Sequence, residues 1–93
     1  MNQNEILRHS PDAAWRRIDG LVAIVSLGAN RVRLLNRVGS FLWERCDGRP
    51  THALVHDLTE HFEVSEEQAR QDLGAFIVDL EARGLITRGE ERG

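Results

Sequence analysis

Few residues of this chain could do chemistry, and most have a plainer use. Cys46 is the only cysteine; it falls late in a helical stretch, where a cysteine ordinarily serves as a small buried apolar residue rather than a nucleophile. Ser10, Ser26, Ser40 and Ser65 fit turns, strands or helix caps. No G-x-S-x-G, phosphate loop, C-x-x-C or H-E-x-x-H is present, so the chain reads as non-catalytic. His52 and His56 lie four residues apart with Glu60 on the same helical face. Zinc takes three or four ligands and no cysteine joins this pair, so neither a metal nor another cofactor is expected. What remains is recognition. Arg31-Val32-Arg33-Leu34-Leu35 alternates as an edge strand does, and an edge offers unpaired N–H and C=O groups to an extended peptide.

The elements that position such an edge are legible in the patterning. Ala14 to Ile18 reads as a strand, and Asp19-Gly20 as a two-residue hairpin turn, whose type I′ form needs positive φ at both positions. Leu21 to Leu27 is apolar on both parities, which suggests a central strand covered on both faces. Gly28-Ala29-Asn30 turns the chain into Arg31–Leu35. Asn36 can then cap a helix with Val38, Phe41, Leu42 and Arg45 on one face, ended by Asp47-Gly48. Thr51 can cap a second helix that turns Leu54, Val55, Leu58 and Phe62 inward. Ser65 and Gln68 form a capping box for a third, with Ala69, Leu73, Phe76, Ile77 and Leu80 as its core stripe. The expected fold is α+β: a three-stranded antiparallel meander followed by three helices, like a winged helix-turn-helix. Residues 1–13 are expected to be a flexible N-terminal arm, 14–87 the domain and 88–93 a flexible tail, with Leu85 to Thr87 a short extended end.

The third helix carries a second line, Gln71, Ala75, Val78 and Ala82, off its core stripe. This line and residues 31–35 could form two walls of a groove, or the line could simply widen the core stripe. The 93 residues form one domain, which buries roughly 60–65% of its unfolded surface. A formal net charge of −3 gives no general attraction to nucleic acid or anionic lipid. The chain shows no signal peptide at its start, and its longest apolar run, Leu21–Val25, is too short to span a bilayer. With one cysteine and no internal disulfide, a cytoplasmic setting without membrane contact is expected.

The ordered set Leu35-Asn36-x-x-Gly39, Leu42-Trp43-x-x-Cys46-Asp47-Gly48-Arg49-x-Thr51, Asp72-x3-Phe76-x3-Leu80 and Arg83-Gly84-Leu85-Ile86 resembles the PqqD-like family. These are small domains that recognise leader peptides of ribosomally made, modified peptides. Arg37-Val38 departs from the family pattern, which often has an acidic residue and Thr there. The resemblance implies that a leader adds as a strand beside Arg31, Val32, Arg33 and Leu34 and lies against Gln71, Ala75, Val78, Asp79 and Ala82. It assigns Leu35, Asn36, Gly39, Trp43, Asp47 and Gly48 structural roles, with Trp43 either against the sheet or toward a partner. The implied partners are a precursor peptide and a modifying enzyme, foremost a radical S-adenosylmethionine maturase, to which any iron–sulfur cluster would belong. An unfilled edge could also pair two copies into a homodimer. Two readings compete: a winged-helix transcriptional regulator, and a subunit that only stabilises an enzyme. The regulator reading meets an acidic third helix and approach, with Glu63, Glu66, Glu67, Asp72, Asp79 and Glu81 against Arg70 and Arg83, a surface that repels phosphates.

Overall fold

The computed structural model describes residues 5–28 and 30–90. Strands β1 (Glu5–His9), β2 (Ala13–Ile18), β3 (Leu21–Ser26) and β4 (Arg31–Leu34) precede helices α1 (Arg37–Cys46), α2 (Thr51–Phe62) and α3 (Glu66–Ala82), and strand β5 (Ile86–Glu90) closes the described chain. The antiparallel sheet β2-β3-β4 is the expected meander. Its first turn has φ of 52° at Asp19 and 82° at Gly20, the doubly positive geometry that suits the right-handed twist of a hairpin. Ile18 pairs with Leu21 directly across it.

One face of this sheet packs on the helices. Val22, Ile24 and Leu35 join Leu42, Trp43, Leu54, Leu58, Leu73, Phe76, Ile77 and Leu80 in a continuous core. The opposite face does not have the cover expected for β3. Ala23 is buried there between Arg16 and Leu34, its cross-strand partners, but Ile18, Leu21, Val32 and Leu34 are exposed. The double-parity apolar run therefore marks a strand covered on one side, with apolar residues left on the other.

Helix boundaries follow their caps. The Asn36 side chain accepts from the Gly39 N–H at 2.8 Å, and Ser65 accepts from the Gln68 N–H at 3.0 Å. Such caps satisfy donors that the first turn leaves without partners. Thr51 is instead the first residue of α2, buried, with Pro50 at the cap position. Pro suits a helix entry because it has no N–H to satisfy and a fixed φ.

The N-terminal segment departs most from expectation. Residues 5–9 are no flexible arm: β1 pairs antiparallel with β5 over the register Glu5↔Glu90 to His9↔Ile86. Leu7 is fully buried, and its carbonyl accepts from the Gly48 N–H at 2.7 Å. Alternation over five residues is a weak signal, and the strand's partner lies at the far end of the chain. The same pairing orders residues 86–90, where a frayed tail was expected from 88 onward. Arg88 reinforces it through Glu5 at 3.2 Å and Glu81 at 2.9 Å. The expected arm residues 1–4, the tail residues 91–93 and Ala29 of the second turn lie outside the described residues.

Candidate functional site

Among the described residues β4 is an edge of its sheet, paired with β3 alone. The Leu35 N–H donates to the Val22 carbonyl at 2.9 Å. Antiparallel alternation then turns the main-chain groups of Arg33 and Arg31 toward β3 as well, and leaves those of Val32 and Leu34 aimed at the open edge. Side chains alternate in the same way. Arg31 and Arg33 share the face of Ile24 and Ser26, toward the helices, while Val32 and Leu34 share the exposed outer face.

Between β4 and α3 runs a groove in two parts. One depression, about 430 Å³, is lined by Arg33, Leu34, Val38, Ala75, Phe76 and Asp79. The other, about 760 Å³, is lined by Ile24, Arg31, Val32, Ala82, Arg83 and Leu85, and it shares Arg33 with the first. Arg33 stands between them and holds Asp79 through Nε at 3.2 Å and NH2 at 2.8 Å. Arg83, one turn along α3, donates to the other Asp79 oxygen at 2.9 Å. Partial burial pushes the Asp79 carboxyl up, but hydrogen bonds from Arg83 and Arg33 and their charges outweigh it and hold it below the usual carboxylate range. The carboxylate is thus ionised at neutral pH and ties the edge strand to α3.

Of the α3 residues expected at this site, Ala75, Asp79 and Ala82 face the groove. Gln71 and Val78 do not. Both line neither depression and are exposed, Val78 at 69%. Asp72, Phe76 and Arg83 line the groove but were absent from the expected set. The signal for Arg83 was available, since it lies four residues beyond Asp79, within reach on a helix.

Leu35, Asn36 and Gly39 line the first depression themselves, and with the rest of the Leu35–Gly48 motif they fix α1. Leu35 is buried and Asn36 caps the helix. A Cβ on Gly39 would sit 3.2 Å from the capping oxygen and 3.4 Å from the Leu35 Cβ, so glycine keeps this entry tight. Trp43 is fully buried, with the His9 ring stacked on it at 3.6 Å. The His9 Nε2 donates to the Trp43 carbonyl at 2.8 Å, and the His9 N–H donates to Asp47 at 3.1 Å. Gly48, at φ 85°, completes the hold on β1. Cys46 lies buried beside them. Burial first, then the Asp47 charge, push its thiol up to about 12, so it stays protonated and unreactive at neutral pH. Among the described residues no three His, Cys, Asp or Glu side chains gather as metal ligands, and no helix is long and apolar enough to cross a membrane.

Over residues 21–86 the sequence matches the family described as coenzyme PQQ synthesis protein D. The chain belongs to the PqqD family. No curated protein matches this PqqD-family chain in sequence. Among solved structures it is similar to TbiB1 in complex with the TbiA(beta) leader peptide, with a TM-score of 0.80 at 22% identity, over 85% of this chain and 93% of that one. It is also similar to lasso peptide synthetase B1 complexed with the leader peptide, with a TM-score of 0.79 at 21% identity, over 87% of this chain and 96% of that one. At these identities the likeness establishes a shared fold.

Proposed function

We propose that this PqqD-family domain binds the leader segment of a ribosomally made precursor peptide and holds it for a modifying enzyme. The observation that carries the reading is the open edge of β4 beside the two depressions along α3. A leader added there as a fourth strand takes the main-chain groups of Val32 and Leu34. Its alternate side chains fall into the groove lined by Arg31, Arg33, Ala75, Asp79 and Ala82. Strand addition gives affinity through main-chain bonds, and the depressions select side chains. Arg31, which has no ion-pair partner among the described residues, suits an acidic leader residue, an exposed pair contributing at most about 1 kcal/mol. Arg33, held by Asp79, adds a weaker attraction. Both solved relatives are leader-peptide complexes, which supports the same role here.

The domain does no chemistry in this reading. Tethering the leader raises the effective concentration of the core peptide at the enzyme's active site. The family resemblance points to a radical S-adenosylmethionine maturase as that enzyme; the likeness to lasso peptide synthetase B1 points to a lasso-peptide system. Co-purification with each enzyme type decides between them. Nucleic acid has no part in the reading, because α3 presents Glu66, Glu67 and Glu81 on exposed positions. The setting is the cytoplasm, where precursor peptides are made, and an unfilled β4 edge can pair two copies until a leader displaces one.

The test is titration with the leader of a precursor peptide encoded beside this chain, repeated with Arg31→Glu/Arg33→Glu. Wild-type binding that the double variant weakens tenfold or more, with folding intact, supports the reading. A folded wild-type domain that ignores the leader but binds duplex DNA overturns it in favour of the regulator.

A further inference from the structure

On another face of the molecule, the β2–β3 turn, α1 and the end of α2 enclose a recess of about 470 Å³. It shares no lining residue with the two depressions along β4. Its floor is aromatic: the Phe41 ring stacks with His61 at 4.4 Å and meets Phe62 edge-on at 5.3 Å. Three guanidinium groups stand around that floor, on Arg17, Arg37 and Arg45. Glu44 neutralises Arg17 through a paired contact. Arg45 lies over the Phe41 ring, its guanidinium carbon 4.4 Å from the centroid. Neither Arg45 nor Arg37 has an ion-pair partner among the described residues, so two guanidinium groups stand unpaired beside the ring cluster.

We propose that this recess is a second docking site, which takes a short acidic segment of a partner protein, its carboxylates on Arg37 and Arg45 and an apolar side chain on the aromatic floor. Guanidinium forks match carboxylates bidentately, and the aromatic floor gives an accompanying apolar side chain somewhere to be buried. A continuous polyanion fits worse. The depression that adjoins through Phe41, Arg45 and His61 is also lined by Asp57 and Glu60, which bound the cationic patch to a length that suits a short segment and not a long run of phosphates. Naming the partner as the modifying enzyme rests on the leader-binding reading. Tethering requires the enzyme to be held by a surface that the leader leaves free, and this recess is free when the β4 groove is filled.

The experiment titrates the ¹⁵N-labelled full chain separately with the leader and with a synthetic probe, acetyl-Glu-Asp-Phe-Glu-Leu-Asp-amide. The expected result is saturable shifts of Arg37, Phe41, Arg45 and His61 with the probe, weakened about tenfold or more in Arg37→Gln/Arg45→Gln. Arg16→Gln, which removes a charge from outside the recess, leaves probe affinity within about twofold, a change too small to reflect a lost contact. Thermal melts establish that the variants fold, so the probe arm is read whether or not the leader binds. Absence of saturable shifts at the recess, or shifts confined to β4, overturns the proposal. So does an equal response to inorganic phosphate or to a single-stranded oligonucleotide, which marks a general anion site.

Discussion

The two sides of α1 are built to opposite standards. On one side Trp43, Cys46, Asp47 and Gly48 grip β1 through ring stacking, main-chain bonds and full burial of Leu7. On the other, β4 meets α3 through one partly exposed ion pair, Arg33–Asp79, with depressions at either end. The first region is closed, its apolar surface covered, although the Trp43 indole N–H is buried there without a partner among the described residues. The second leaves an edge unpaired and apolar side chains exposed, which costs stability locally and creates a place for another strand. In so small a domain the closed region supplies the rigidity that keeps the open one in shape.

Trp43→Ala attacks the closed region at its centre. The expected loss is about 3–5 kcal/mol by chemical denaturation, enough to unfold much of a domain of this size. Leu7→Ala is expected to cost about 2–5 kcal/mol; a change below ~0.5 kcal/mol, the usual range for exposed positions, would restore residues 5–9 to the status of a loose arm. Asn36→Ala removes only a cap and should cost about 1 kcal/mol. Iodoacetamide is expected to leave Cys46 unmodified at pH 8 in the folded chain and to alkylate it once denaturant opens the core, as mass spectrometry would read.

The open region answers to smaller perturbations. Asp79 has a depressed pKa, so its contribution is fully present above the unfolded carboxylate value near ~3.9. That contribution is lost as pH falls through the lower folded value. Acid should therefore loosen β4 from α3, followed by the carboxyl ¹³C shift of Asp79, and Asp79→Asn should remove this part of the pH dependence. Val78→Asp is expected to do least, changing leader affinity less than about twofold, because Val78 lies off the groove and no strong contact is lost. A tenfold loss there would return the site to the far side of α3.

What the sequence made legible follows from the range of the interactions. The Asp19-Gly20 turn, the Asn36 cap and the Ala69–Leu80 stripe are local patterns that appear as expected. Ser65 caps α3, although the Gln68 side chain bonds Asp72 instead of closing the capping box. β1 was missed because its partner lies some eighty residues away in the chain, at β5. Trp43 had no role because the α1 face expected inward was Val38, Phe41, Leu42 and Arg45, whereas the helix buries Ser40, Leu42, Trp43 and Cys46, and Trp43 stacks on His9. The edge strand was readable from Arg31-Val32-Arg33-Leu34, but the opposing wall was only half so. Ala75 and Ala82 line the depressions and Gln71 and Val78 do not, while Asp72 and Arg83 line them too. Which part of α3 meets β4 is set by tertiary packing that a helical repeat does not encode.

The most direct test of strand addition is amide hydrogen exchange at β4 with and without a saturating leader peptide. Val32 and Leu34 are expected to exchange rapidly in the free domain and to become protected in the complex, while Arg31 and Arg33 change little. Saturable leader binding that leaves the Val32 and Leu34 amides exchanging as before would contradict it, and would place the peptide on some other surface.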